Sequence, residues 1–259
     1  MDEKILGIVQ ARMNSERLPG KVLSPILGIP SIIVVLKRLS LCKYIDELVV
    51  ATSDRKDDDA LSAVVSREGY KVFRGDENDV LMRYYECAML FGAFSVLRVT
   101  GDCPFVDPAL IDSLLAFYIS QNSVYDYMRL DVPNTFPRGL DGEVFSFQAL
   151  EKAYNQVRHM IAQPAPQDAA TLESIRMYRE HVTYFIYKNP EIFNTYLIAG
   201  SEPFRRNYRL CVDTDKDFLL ITKVFEHFDS IYSRASDVLK YLDLSPEIAC
   251  INSDIKQRF

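Results

Sequence analysis

Short uninterrupted apolar runs alternate along this chain with longer stretches of mixed, helix-like periodicity. Lys4 to Val9 reads as a fully buried strand, followed at once by a loop of small and charged residues, Gln10 to Lys21. Pro30 suits the first turn of a helix through Arg38, and Asp46 to Ser53, DELVVATS, is a second strand. The alternation continues with a helix over Asp57 to Glu68, a strand over Lys71 to Arg74, a helix over Asn78 to Phe91, a strand over Ser95 to Thr100 and a helix over Pro108 to Ile119. From about residue 124 the pattern loosens, with Pro133, Pro137 and Gly139 ahead of a short strand, Glu143 to Phe147. Val157 to Ala170 holds Pro164 and Pro166 among small and polar residues and reads as an excursion. A last strand, Tyr208 to Val212, precedes helices over Lys216 to Phe228 and Ala235 to Leu242.

Strands alternating with helices imply an α/β fold with a mainly parallel sheet covered on both faces, and ligands of such sheets bind beyond the carboxyl ends of the strands. The 10–21 loop and the GDCP segment after Thr100 both fall there. The expected organisation is a single domain over 1–259, with 124–200 as an addition that covers substrate or forms a dimer.

Composition narrows the function classes. With 259 residues, 48% of them apolar, the chain can bury a sizeable core. A net charge of −6 speaks against a nucleic-acid surface, which needs clustered excess cations. The five cysteines are scattered without metal or redox spacing and suit a reduced, cytoplasmic protein. The apolar run near the start, Ile5 to Val9, is too short for a signal peptide or a membrane span.

Phosphate binding would therefore rest on a few local cations. The segment GIVQARMNSERLPGKVL sets Arg12, Arg17 and Lys21 within ten residues, interleaved with Asn14, Ser15 and Gly20. Arginine offers forked donors to phosphate oxygens, lysine a mobile point charge, and glycine close backbone approach. Neither GxxxxGK[ST] nor GxGxxG is present, and a solvated basic loop also fits the spacing.

The same string closely resembles the A-R-x-x-S-x-R-L-P-G-K signature of the CMP-sugar synthetases, cytidylyltransferases that activate Kdo and sialic-acid-like sugars, and within them the SpsF-like spore-coat polysaccharide branch. RVTGDCPFVDP, FPRGLDGEVFSFQALEKA, REHVTYFIY and LCVDTDKDF resemble successive blocks of that branch in the same order, so the likeness covers nearly the whole chain. It implies a Rossmann-like, three-layer nucleotide-diphospho-sugar-transferase-like fold and a cytoplasmic homodimer. The implied reaction joins CTP, with Mg²⁺, to an acidic sugar, releasing a CMP-sugar and pyrophosphate for surface polysaccharide.

By the same resemblance Gln10, Ala11, Arg12, Ser15, Arg17, Lys21, Arg74, Thr100 and Asp102 form the nucleotide site, with Arg74 near the cytosine, although a surface salt bridge also suits Arg74. Arg12, Lys21, Asp102 and Asp213 carry catalysis, and Asp102 and Asp213 hold the metal with Asp215 as a further contributor. Asp102 also fits a simple turn, and Asp215 the cap of the following helix. Arg138, Asp141, Glu143 and His181 are assigned to the acceptor: arginine for a carboxylate, the acids for hydroxyls, and the histidine to orient the acceptor or act as a base. Gly142 stands where the branch usually has valine, which would loosen the strand or reshape the pocket. Arg205, Arg206 and Arg209 are secondary anion candidates. Two competing readings remain open: a nucleotide-sugar-dependent glycosyltransferase, using VDTD at 212–215 as a D-x-D motif, and a noncatalytic nucleotide-binding subunit of a polysaccharide pathway.

Overall fold

The structure, a computed structural model, describes residues 3–163 and 168–256. The first apolar run forms β1 (Ile5–Gln10), buried on both faces up to its last residue. Leu6 and Ile8 turn to one helical layer and Ile5 and Val9 to the other, which is why the run is continuous rather than alternating. A small hairpin, β2 (Pro25–Ile26) with β3 (Ile29–Pro30), leads into α1 (Ser31–Leu39). Then β4 (Glu47–Ser53), α2 (Asp59–Arg67), β5 (Lys71–Gly75), α3 (Val80–Leu90), β6 (Ser95–Thr100) and α4 (Pro108–Ser120) alternate as expected. Asp107 caps α4 by accepting the N–H groups of Ala109 and Leu110 at 2.9 and 3.2 Å, while Pro108 presets the first turn.

The second part of the chain is more ordered than its pattern suggests. It supplies β7 (Tyr127–Leu130), β8 (Glu143–Ser146), α5 (Phe147–Ile161), α6 (Ala169–Glu180), α7 (Tyr184–Lys188) and β9 (Thr195–Ile198), then α8 (Asp215–Phe228) and α9 (Ala235–Leu244). Phe147, expected to end a strand, starts α5 instead, because the Ser146 hydroxyl accepts the Ala149 N–H at 3.0 Å and caps the helix. Both flanks of the expected excursion are helical, and its Pro164 and Pro166 lie outside the described residues.

Apart from the β2–β3 hairpin, the strands of the described residues form a seven-stranded sheet in the order β5-β4-β1-β6-β8-β7-β9, in which β8 runs against its neighbours and the other pairings are parallel. The core on one face joins the sheet to α1, α2 and α4; the core on the other joins it to α3, α5 and α7. These are the three layers of the expected α/β fold. A third cluster packs α8 and α9 against Phe105, Leu140, Leu210 and Val212, beside the carboxyl edge of the sheet. Residues 124–200 are woven into the same sheet through β7, β8 and β9.

The strand expected at Tyr208 to Val212 is not a ladder strand. Arg209 makes an isolated bridge with Arg138, and the backbone is held by Leu210 N–H to Arg138 O at 2.7 Å and Val212 N–H to Asp102 O at 2.8 Å. Gly142 does not shape a ligand pocket: a Cβ there would stand 2.5 Å from Ile111 Cδ1, so the missing side chain is filled by α4. Gly139 is the glycine that the backbone requires. Its φ is +95°, and a Cβ would meet the Leu210 carbonyl carbon at 2.3 Å.

Gly139→Ala is therefore expected to lose about 3 kcal/mol or more of stability, read from urea unfolding. An unchanged midpoint would mean that the 139 and 210 segments are free to part.

Candidate active site

From β1 the chain builds outward through β4 to β5 and then returns to lay β6 on the other side of β1, with Gln10 level with Thr100. A crevice opens at such a reversal, outside the carboxyl ends of the two strands. The loops leaving them are tied together by Gly101 N–H to Gln10 O at 2.8 Å. A Cβ on Gly101 would stand 2.9 Å from Ala11 Cβ and 3.2 Å from Gln10 O, so only glycine allows this approach. The cationic loop is folded back by Gly20, whose φ is +74° and whose N–H donates to Met13 O at 2.9 Å. The buried Asp58 carboxylate holds the loop from the other side, accepting Met13 N–H at 2.7 Å and Ser53 N–H at 3.0 Å.

Lys21 leaves this loop to stand between two aspartates. Its Nζ lies 3.0 Å from Asp102, 2.8 Å from Asp213 and 2.6 Å from the Val212 carbonyl. The side chains of Lys21 and Asp213 are only 11% and 10% exposed, while that of Asp102 is 25% exposed. Asp213 is further paired with Arg17 at 2.9 Å and with Arg209. Beneath them the fully buried Asp217 accepts from Arg209 Nε at 3.0 Å, Asn252 Nδ2 at 2.8 Å and Asp213 N–H at 3.1 Å, so the arginine and both acids are fixed before any ligand arrives.

The electrostatics follow from this packing. Burial by itself lowers the pKa of Lys21, but the Asp102 and Asp213 charges outweigh it and the net shift is upward. Burial likewise raises that of Asp102, but the Lys21 charge and hydrogen bonds from Thr100, Lys21 and Cys103 bring it below the ordinary carboxylate value. Asp102 is therefore ionised beside a charged Lys21 at neutral pH. Such an array already surrounds one cation with hard oxygen donors, which suits a divalent metal that takes its remaining ligands from water and phosphate. Among the described residues no group of three acidic, His or Cys side chains is set for a metal. Asp215 is exposed in the first turn of α8, and the capping box there is made by Thr214 and Asp217 rather than by Asp215.

On the sheet face carrying α3 and α6 lies a cleft of about 830 Å³, lined by Gln10, Arg12, Val80, Arg98, Ile175 and His181 among others. Behind the lining residue Arg98 stands Glu143, accepting from Arg98 at 2.9 Å and from the Thr183 hydroxyl at 2.7 Å. Burial raises the pKa of Asp141, and the Glu143 and Asp102 charges add to the rise despite the Gly139 N–H at 2.7 Å. Burial also lowers that of His181, which keeps the imidazole neutral at neutral pH.

Other sequence assignments are relocated. All three nitrogens of Arg74 are engaged locally, with Ser53 O at 3.0 Å, Asp59 at 2.6 Å and Arg55 O at 2.6 Å, so it braces the α2 entry. Arg138 does not line the large cleft but a separate cavity of about 230 Å³ with Tyr208, Arg209 and Asn252. Ala11 is buried, Ser15 sits half-buried in the loop, and Thr100 faces the Cys103 sulfur at 3.2 Å. Arg205 donates to Gly200 O at 3.0 Å, and Arg206 is occupied by Glu202 and Asp243 at 2.8 and 3.1 Å. Two arginines went unnoticed in the sequence. Arg98 interrupts the apolar strand SVLRVT, a position where a charge is costly unless it is used. Arg83, fully buried in α3, donates from Nη1 to Asp76 O at 2.7 Å and leaves Nε and Nη2 without a partner among the described residues.

A model of the family described as cytidylyltransferase matches residues 6–242. The chain is 35% identical over 256 residues to an uncharacterized protein of Methanocaldococcus jannaschii, covering 98% of this chain and 97% of that one. It is 32% identical over 252 residues to the spore coat polysaccharide biosynthesis protein SpsF of Bacillus subtilis, covering 95% and 96%. Among solved structures, a cytidylyltransferase from Leptospira borgpetersenii superposes with a TM-score of 0.84 at 27% identity, covering 98% and 99% of the two chains. A CMP:2-keto-3-deoxy-manno-octonic acid synthetase complexed with CTP shares the fold at a TM-score of 0.61 and 19% identity, over 87% of this chain and 99% of that one.

Lys21→Gln leaves the half-buried Asp102 without its ammonium, while Asp213 keeps Arg17 and Arg209, and is expected to cost about 2 kcal/mol at neutral pH. Asp102 has a lowered pKa in the folded state, so this contribution is present above the unfolded carboxylate value and lost as pH falls through the folded one. The stability gap to wild type, followed by denaturant unfolding, should accordingly shrink below about pH 4. A gap that stays constant with pH would contradict the charge account.

Proposed function

This chain belongs to the cytidylyltransferase family, and from that premise we propose that it transfers the cytidylyl group of CTP to an oxygen of an acidic sugar, releasing pyrophosphate and a CMP-sugar for surface polysaccharide. The observation that carries the reading is the seating of Lys21 between Asp102 and Asp213 at the sheet's reversal point, next to the cleft that holds Arg12. Polysaccharide biosynthesis is suggested by the likeness to SpsF, and an acidic sugar by 3-deoxy-manno-octulosonate cytidylyltransferases that are 34 and 36% identical over a little under half of this chain.

Arg12, Arg17 and Lys21 bind the triphosphate oxygens, with the loop backbone around Ser15 completing the cradle. Asp102 and Asp213 would hold Mg²⁺, which supplies Lewis-acid polarisation of the phosphate under attack and a template for in-line geometry. Because the donors are fixed by Asp217, Arg209 and the Gly101 contact, little reorganisation accompanies growth of charge on the phosphate oxygens. The choice of cytosine over uracil rests on the family likeness. Glu143, Asp141 and neutral His181 serve the acceptor side, His181 as a base for the attacking hydroxyl. Residues 124–200 form the acceptor-side part of one nucleotidyltransferase domain.

All five cysteines are free, which accords with a reducing cytoplasm. Among the described residues no helix is long and apolar enough to cross a membrane. The exposed Tyr196 and Leu197 on the edge strand β9 are offered as contacts of a homodimer.

Purified protein incubated with each of the four nucleoside triphosphates, Mg²⁺ and a panel of acidic and phosphorylated sugars should release pyrophosphate only from CTP and only with an acceptor. Chelation should stop turnover and added Mg²⁺ restore it. Asp102→Asn is expected to lower kcat by about 1000-fold while the protein still unfolds in one cooperative transition, with a midpoint lowered by no more than the loss of one ion pair explains. Acceptor-independent release, or no release alongside tight binding of a nucleotide sugar, would overturn the assignment.

A further inference from the structure

A guanidinium in the middle of a central strand calls for an explanation. Arg98 lies on β6 between Leu97 and Val99, which are 0% and 2% exposed, and its own side chain is 16% exposed. The strand pairs on both sides, with β1 and with antiparallel β8, so the charge cannot leave the sheet for solvent along an edge. Its side chain lines the large cleft together with Gln10, and Glu143 holds it from behind.

The way its donors are distributed is informative. Nη1 is bound to Glu143 at 2.9 Å, and Glu143 is itself held by the Thr183 hydroxyl at 2.7 Å, so one edge of the guanidinium is fixed in place. The opposite edge is nearly unused. Nη2 reaches Gln10 Oε1 only at 3.5 Å, the limit of a hydrogen bond, and Nε, buried at the cleft floor, has no partner among the described residues. The Nε and Nη2 edge is the one that accepts a carboxylate through two parallel hydrogen bonds. A buried donor left open is unfavourable, and a ligand group removes that cost when it completes the pair. Around the same cleft, Arg179 is paired with Asp79 at 2.9 Å and Arg176 with Glu173 and Glu180 at 2.7 and 3.0 Å. The α6 arginines are thus occupied, and Arg138 lies elsewhere.

We infer that Arg98, aimed by Glu143, receives the carboxylate of the sugar acceptor through its Nε and Nη2 edge and is the residue that makes this site selective for acidic sugars. This rests on the reading of the reaction as transfer to a sugar acid. Gln10, level with Thr100 and touching Nη2, sits where it can yield to the incoming carboxylate and turn to a neighbouring hydroxyl. The thiol, hydroxyl and acid groups around Asp102 remain on the nucleotide side, so acceptor and phosphate recognition use separate cations.

The test compares wild type, Arg98→Lys, Arg98→Gln and the double variant Arg98→Gln/Glu143→Gln, which leaves no stranded acid if the single change impairs folding. The probes are 3-deoxy-manno-octulosonate, its 8-amino analogue and a nine-carbon 2-keto sugar acid, each as the carboxylate and as the carboxamide. Pyrophosphate release gives KM and kcat, and calorimetry gives acceptor affinity. Wild type should prefer the carboxylate by about 10- to 100-fold. Both glutamine-substituted variants should lose that preference, with KM for CTP within about twofold of wild type, and lysine should keep part of it as a point charge. Retention of the preference in the double variant, a parallel rise in KM for CTP, or binding of no sugar acid by wild type would each overturn the inference. Transfer from CTP to a neutral acceptor with full efficiency would remove the role of Arg98 and leave the cytidylyltransferase reading intact. Absence of any CTP turnover would instead remove that reading.

Discussion

One ammonium group between two carboxylates organises this molecule. Lys21 is drawn out of a loop that follows β1, Asp102 stands after β6, and Asp213 stands at the entry to α8, so three distant parts of the chain meet at one charge. Burying such a group costs several kcal/mol of desolvation, about what a good set of ion pairs and hydrogen bonds returns. The array is consequently a poor source of net stability. It ties the loop after β1 to the segments after β6 and before α8.

The rest of the architecture holds that arrangement in place. The reversal of strand order between β4 and β6 creates the crevice, Gly101 lets two loops touch across it, and Gly139 lets the 209–212 segment run against residue 138. The cluster of α8 and α9 anchors Val212 from below, while Asp217 and Asn252 lock Arg209 onto Asp213. Two polar regions result. Cations and aspartates gather at the sheet edge toward α8, and the cleft under α6 offers a neutral histidine, a paired acid and a half-used arginine.

Much of this was legible in the sequence wherever the signal is local. β1, β4 and β6 are apolar runs followed by polar loops, and a loop that follows a parallel strand must emerge at the ligand edge, so Arg12, Lys21 and Asp102 could be placed without coordinates. Signals that depend on partners were not legible. YMRL and TYLI are four-residue strands whose role is set by β8 and by each other, whereas YRLCV looks like a strand but faces loops rather than a ladder. Arg74 and Arg138 have the right chemistry in the right segments, yet Asp59 with two carbonyls holds the first and a separate cavity holds the second. Arg98 was overlooked for the opposite reason: it lies inside a strand, and only the structure shows that a glutamate and a cleft are waiting for it.

The central proposal is that Asp102 and Asp213, which bracket Lys21 in this structure, also seat the metal of the proposed reaction. The most direct measurement is a crystal structure with CTP and Mn²⁺, using anomalous scattering to place the metal. The account predicts a manganese peak in contact with both Asp102 and Asp213, and the Lys21 ammonium moved from between them onto a phosphate oxygen. A peak away from the pair, or Lys21 still bridging the two aspartates beside bound CTP, would contradict it.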